Sequence, residues 1–161
     1  MKSPYLKDHR LPDVIAAITA MAIYPYYKQT AAEWADRIGG SKDSSDRWRV
    51  VFEEHPEFFR RGANSNDYSL VWRRQLPRNF DVRSLKETFP DHELEGSKRD
   101  PIGRRPLQPT EVTELIGVAI RLHDRALEQD KARAWWMPLA IAVLSLVGVI
   151  IGGVLTALLR P

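Results

Sequence analysis

The feature that most constrains this chain is its last stretch, Ala134 to Leu159, in which no residue carries a charge. Leu139 to Leu159 alone supplies 21 uncharged residues. At about 1.5 Å of rise per residue, a helix of that length covers the roughly 30 Å hydrocarbon core of a bilayer. Arg133 and Arg160 bracket the run as interface anchors. Trp135 and Trp136 stand at its upstream boundary, where an indole buries its ring and keeps its N–H near headgroups. Pro138 suits a first helical turn, where the missing N–H is no loss. The stretch therefore reads as one C-terminal transmembrane helix over 135–159, with a lipid bilayer as its partner. A core helix apolar on every side would need more surrounding protein than 161 residues supply.

Within this run Gly148, Gly152 and Thr156 share a helical face, and small residues at that spacing let two helices approach closely. A homo-oligomer assembled through the span is the expectation. Arg121, Arg125, Lys131 and Arg133 precede the run and only Arg160 follows it. That bias places the N-terminal part in the cytoplasm and the chain in the cytoplasmic membrane, as a tail-anchored single-pass protein.

Mean hydropathy is −0.37 despite this apolar end, so the remainder is strongly polar and reads as one small water-facing domain. The chain has no cysteine, which excludes disulfides and thiol catalysis. Net charge is +3, from 24 Lys and Arg against 21 Asp and Glu. That balance is too mild to announce a nucleic-acid binder, so local clusters decide.

Leu11, Val14, Ile15, Ile18, Met21 and Ala22 recur at helical spacing behind Pro12 and Asp13, which predicts a first helix ending near Tyr24-Pro25. Thr30 and Glu33 have capping-box spacing and open a second helix with apolar face Ala31, Trp34, Ala35 and Ile38, stopped at Gly39-Gly40. A polar turn, Ser41 to Ser44, leads to a third helix with Trp48, Val51 and Phe52 inward, limited by Pro56. Phe58 to Arg61 and Tyr68 to Arg74 flank a turn-rich loop and read as a β-hairpin.

This order is that of a winged helix-turn-helix domain. The expected fold class is α+β: a small winged-helix-like domain of three helices and a β-hairpin over 1–89, a linker over 90–109, a juxtamembrane amphipathic helix over 110–134, and the transmembrane helix. The runs His55-Pro56-Glu57-Phe58-Phe59-Arg60 and Ser69-Leu70-Val71-Trp72-Arg73-Arg74 resemble a module of poorly characterised bacterial proteins. That group includes members with hydrolase-type names, N-carbamoyl-amino-acid hydrolase among them. The resemblance implies the fold, and a hydrolase as a third functional reading; no catalytic residue is carried over from it.

His9, His55, His92 and His123 have no second histidine at metal-ligand spacing. Neither glycine pair, 39–40 or 152–153, sits in a phosphate-binding pattern. No catalytic, cofactor-binding or metal residue is assigned, and no cofactor is expected.

The candidate surface is basic: Arg47 and Arg49 on the third helix, with Arg60, Arg61, Arg73, Arg74 and Arg78 on and after the hairpin. Between Phe58 and Arg78 five arginines oppose the single Asp67. In a winged helix the third helix enters the major groove and the wing touches the backbone, so these charges fit phosphates. Asp43, Asp46, Glu53 and Glu54 on and beside the same helix oppose that use. The leading expectation is an accessory or effector that binds a protein partner, in a context such as bacterial stress or defence. A DNA- or RNA-binding regulator is the alternative.

Overall fold

The computed structural model describes residues 3–63, 65–87, 102–134, 140–149 and 151. The chain opens with a 3-10 turn, Pro4–Leu6, followed by helix α1, Arg10–Ile23. His9 precedes α1 in the left-handed region at φ 58°, turning the chain sharply into the helix. Val14, Ala17, Ile18, Met21 and Ala22 are buried at three- and four-residue spacing, which makes α1 the central helix of the core.

Strand β1, Lys28–Thr30, follows at once and leads into helix α2, Ala31–Gly39. The expected capping box is formed: Thr30 Oγ1 accepts from Glu33 N at 3.3 Å, and Thr30 N donates to the Glu33 carboxylate at 2.8 Å. At its other end Gly40 takes φ 74°, a left-handed cap that glycine adopts without steric cost. After a 3-10 turn at Lys42–Ser44 comes α3, Ser45–Glu54, with Trp48, Val51 and Phe52 inward.

Strands β2, Phe59–Arg61, and β3, Asp67–Leu70, pair antiparallel in the register Phe59 with Leu70 and Arg61 with Tyr68. The hairpin is not alone. β1 pairs with the outer side of β3, Lys28 opposite Ser69 and Thr30 opposite Asp67, giving a three-stranded sheet in the order β1-β3-β2. The third strand escapes sequence patterning because three polar or half-buried residues, Lys28-Gln29-Thr30, carry no hydrophobic alternation.

β3 also ends sooner than its composition suggests. Val71–Arg74 forms a short helix, α4, whose first N–H donates to Phe58 O at 2.8 Å. Strands β4, Phe80–Asp81, β5, Lys86–Glu87, and β6, Ile102–Gly103, make a second small sheet in the order β5-β4-β6. Helix α5 runs over Pro109–Ala134 and packs on α1 through Leu115, Ala119 and Ala126.

The core joins the helices to the first sheet. Phe52 of α3 meets Phe59 at 5.2 Å and Tyr68 at 5.1 Å between ring centroids, and Trp34 Nε1 donates to Tyr68 O at 2.9 Å. Burying the indole with its N–H satisfied avoids the desolvation penalty of an orphan donor. The described part of the segment expected as a linker is packed: β6 pairs with β4, Leu107 is buried, and its N–H donates to Ala22 O at 2.9 Å. Residues 90–101 of that segment lie outside the described residues.

The membrane reading requires correction. Among the described residues no helix is long and apolar enough to cross a membrane. Within the expected span, the described residues 140–149 and 151 are helical. The transmembrane helix expected over 135–159, and the tail-anchored membrane protein built on it, are corrected on this finding. Trp135, Trp136, Gly152, Thr156 and Arg160 lie outside the described residues. Arg133 is exposed in the last turn of α5, and a Cβ added at Gly148 would meet nothing within 4 Å.

Candidate interaction groove

Three segments converge on a groove of about 350 Å³. Its first wall is the start of α2, where Thr30, Ala31 and Ala32 are held in place by the capping box. The second is the outward face of α3. Ser45, Asp46, Arg49 and Glu53 line up there because residues three and four apart share one side of a helix. The third is the hairpin, through Arg61, Asn66 and Tyr68.

Tyr68 links this groove to the core. Its ring packs on Phe52, while its hydroxyl donates to Glu53 Oε1 at 2.9 Å. Burial raises the Tyr68 pKa above the ordinary phenol value, and the hydrogen bond to Glu53 and its charge raise it further; nearby Arg61 and Arg49 oppose them. The phenol therefore stays a neutral donor, and Glu53 is fixed in place by it. Arg49 pairs with Asp46 at 3.1 Å, and Arg61 donates to Asn66 Oδ1. The walls thus carry two arginines and two carboxylates in alternation, with no net charge.

The seven arginines expected as one basic surface are scattered by the fold. Arg47 leans across to Asp13 of α1 at 2.5 Å, with its guanidinium 5.6 Å from the Trp48 ring centroid. Arg49 and Arg61 line the groove. Arg60 is exposed on β2, and Arg74 and Arg78 are exposed beyond β3.

Arg73 is not on the surface at all, which corrects its place in that set: it is fully buried. Its Nη1 donates to Met21 O at 2.8 Å and Tyr24 O at 2.6 Å, and its Nη2 to Pro25 O at 3.2 Å and Arg104 O at 2.5 Å. A planar fork of donors suits this task, since the end of α1 leaves carbonyls without helical partners. Burial lowers the Arg73 pKa to about 10, and the nearby charges of Arg105 and Arg104 act in the same direction.

A second polar cluster closes the far end of α3. Buried His55 places Nδ1 3.0 Å from Glu57 Oε1, and Tyr5 donates its hydroxyl to the same carboxylate. The Tyr5 ring stands edge-on to His55 at 4.5 Å, and Tyr5 O lies 3.0 Å from His123 Nδ1 of α5. Burial works to raise the Glu57 pKa, but hydrogen bonds from His55 and Tyr5 outweigh it and hold the carboxyl below its usual value. Burial and the Glu57 carboxylate push the Tyr5 phenol well above its ordinary value. The cluster clasps the N-terminal turn between α3 and α5.

Among the described residues no group of three or more His, Asp or Glu could hold a metal ion. Sequence reasoning missed Tyr68, Glu53 and Asp46 as groove residues. The signal available was the stripe Asp46, Arg49, Glu53 at helical spacing, which marks a face without saying what lies opposite. Comparison with protein-family models, with curated proteins and with solved structures finds no match.

Proposed function

We propose that this chain is a protein-interaction module of winged-helix-like build, whose groove along α3 takes a polypeptide segment carrying both signs of charge. The order α1, β1, α2, α3, hairpin and the strand pairing β1-β3-β2 support the winged-helix-like reading. The observation that carries the functional choice is the internal neutralisation of α3. Arg47 and Arg49, the two cations a groove-reading helix would aim at phosphates, are paired with Asp13 and Asp46.

Duplex DNA would bring a uniform negative charge against Asp46 and Glu53, a like-charge cost, with Arg49 already paired to Asp46. A segment with alternating charge meets Arg49 and Arg61 with its acids, and Asp46 and Glu53 with its bases. Val50, 40% exposed beside this stripe, adds an apolar contact.

The test is a photo-crosslinking residue at Ala32, with Ala32→Trp as the groove-filling variant. A discrete crosslinked protein, sequenced at the contact and lost when Arg49→Glu is introduced, is the expected result. Salt-sensitive binding of a 15-base-pair duplex, weakened by Arg60→Ala and Arg74→Ala, would instead favour the nucleic-acid regulator. Arg73 is unsuitable for that test, because it holds the fold together.

A further inference from the structure

Away from the groove, the corner between α1 and β1 collects aromatic rings and uncompensated cations. Tyr24, Tyr26 and Tyr27 fall in four consecutive positions with Pro25. The Arg37 guanidinium lies 4.7 Å from the Tyr24 ring centroid, and that of Arg104 lies 5.5 Å from Tyr27. Lys28 Nζ is 6.0 Å from the same Tyr27 ring. A guanidinium held against a ring by cation–π attraction gives up less freedom when it meets an anion.

None of Lys28, Arg37 and Arg104 forms an ion pair among the described residues. The contrast with the next residue is informative. Arg105 is neutralised by Glu111 at 2.8 Å and reaches Glu87 at 3.8 Å, while Arg104 beside it is left uncompensated. Glu33, close to Arg37 in sequence, is committed to capping Thr30. Buried Arg73 stiffens the whole corner, because its fork binds Tyr24 O, Pro25 O and Arg104 O together. Tyr26 stands 49% exposed, its ring centroid 5.9 Å from that of Tyr24.

We infer that this corner is a binding surface for single-stranded nucleic acid, in which Lys28, Arg37 and Arg104 take phosphates and the exposed Tyr26 ring stacks on a base. Rings interleaved with free cations are what an unpaired strand uses, since every base offers a π-face and every link a phosphate. A duplex keeps its bases stacked away from such a ring. An acidic peptide uses the cations but gains no stacking from Tyr26. None of Tyr26, Lys28, Arg37 and Arg104 lines the α3 groove, so the inference stands or falls independently of the polypeptide reading.

The experiment is fluorescence anisotropy on the full chain with three labelled probes: a 12-nucleotide oligo(U), the corresponding RNA duplex, and a 12-residue poly-glutamate peptide. The oligo(U) is expected to bind most tightly, with a slope of log affinity on log salt of about −2, as three phosphate contacts on a single strand require. Arg37→Gln with Lys28→Gln weakens it about tenfold or more, and Tyr26→Ala by about fivefold or more through lost stacking. Arg49→Gln in the groove leaves it unchanged. Both sets of substitutions lie on exposed side chains, and an unaltered thermal midpoint confirms that they fold. Absence of salt-dependent oligo(U) binding overturns the inference. So does poly-glutamate binding as tight as the oligonucleotide, or a Tyr26→Ala variant with unchanged affinity.

Discussion

Arg73 shows how far one side chain can carry an architecture. It is buried with no acidic partner among the described residues, and its charge is spread over four carbonyls belonging to α1, the following corner and residue 104. Replacing it with Met leaves those carbonyls unsatisfied in the interior, so Arg73→Met is expected to destabilise the chain by about 3–5 kcal/mol in urea unfolding. Arg73→Lys should recover only part of this, because an ammonium lacks the planar fork. Tyr68→Phe has a smaller reach. It removes one hydrogen bond to Glu53, expected to cost about 1 kcal/mol, and frees that carboxylate within the groove. In sequence Arg73 and Arg74 are equivalent neighbours; the turn into α4 sends one inward and one outward.

The elements are held by their ends. Thr30 closes the capping box that positions the α2 wall of the groove, and Thr30→Ala is expected to cost about 1 kcal/mol, read as a lower unfolding midpoint. The start of α5 depends on a carboxylate. Arg105 grips Glu111 through two N–H groups at 2.8 and 2.9 Å, and Gln108 N donates to it at 2.7 Å. The hydrogen bonds from Arg105 hold the Glu111 pKa below its ordinary value, outweighing a smaller effect of burial. A carboxyl whose folded pKa is depressed contributes stability above its unfolded value, near 4.5, and loses it as pH falls through the folded value. Amide exchange at the first turn of α5 should therefore accelerate as pH drops below about 4.5, after correction for intrinsic rates. In Glu111→Gln the acid-dependent component should disappear. Glu57 acts with the same sign at the N-terminal clasp.

At the scale of the molecule, the distinction between a domain and an appended stalk fails for residues 102–134. Leu107, Leu115, Ala119 and Ala126 belong to the same core as α1, and Arg104 O accepts from Arg73. A fragment ending at residue 101 should thus expose one side of α1 and leave Arg73 short of an acceptor. Increased dye binding by exposed apolar surface and a broadened urea transition are the expected outcome; a sharp transition at an unchanged midpoint would contradict it.

What the sequence determined by itself were the features written in local chemistry. The helices α1, α2 and α3, the Thr30-Glu33 box and the Gly40 stop follow from hydrophobic period and capping residues within a few positions of one another. Other features depended on residues distant in sequence and could not be read locally. The polar strand β1 exists because β3 has a free edge to pair with, and the basic cluster divides because Asp13, Asp46 and the α1 carbonyls each claim one of its arginines. Charge spacing along a chain counts cations, but only the tertiary structure decides which of them are already neutralised. That is why the surface expected around Arg47 and Arg73 gives way to an amphoteric groove, while cations without an ion pair among the described residues gather beside aromatic rings at Tyr24 to Lys28, Arg37 and Arg104.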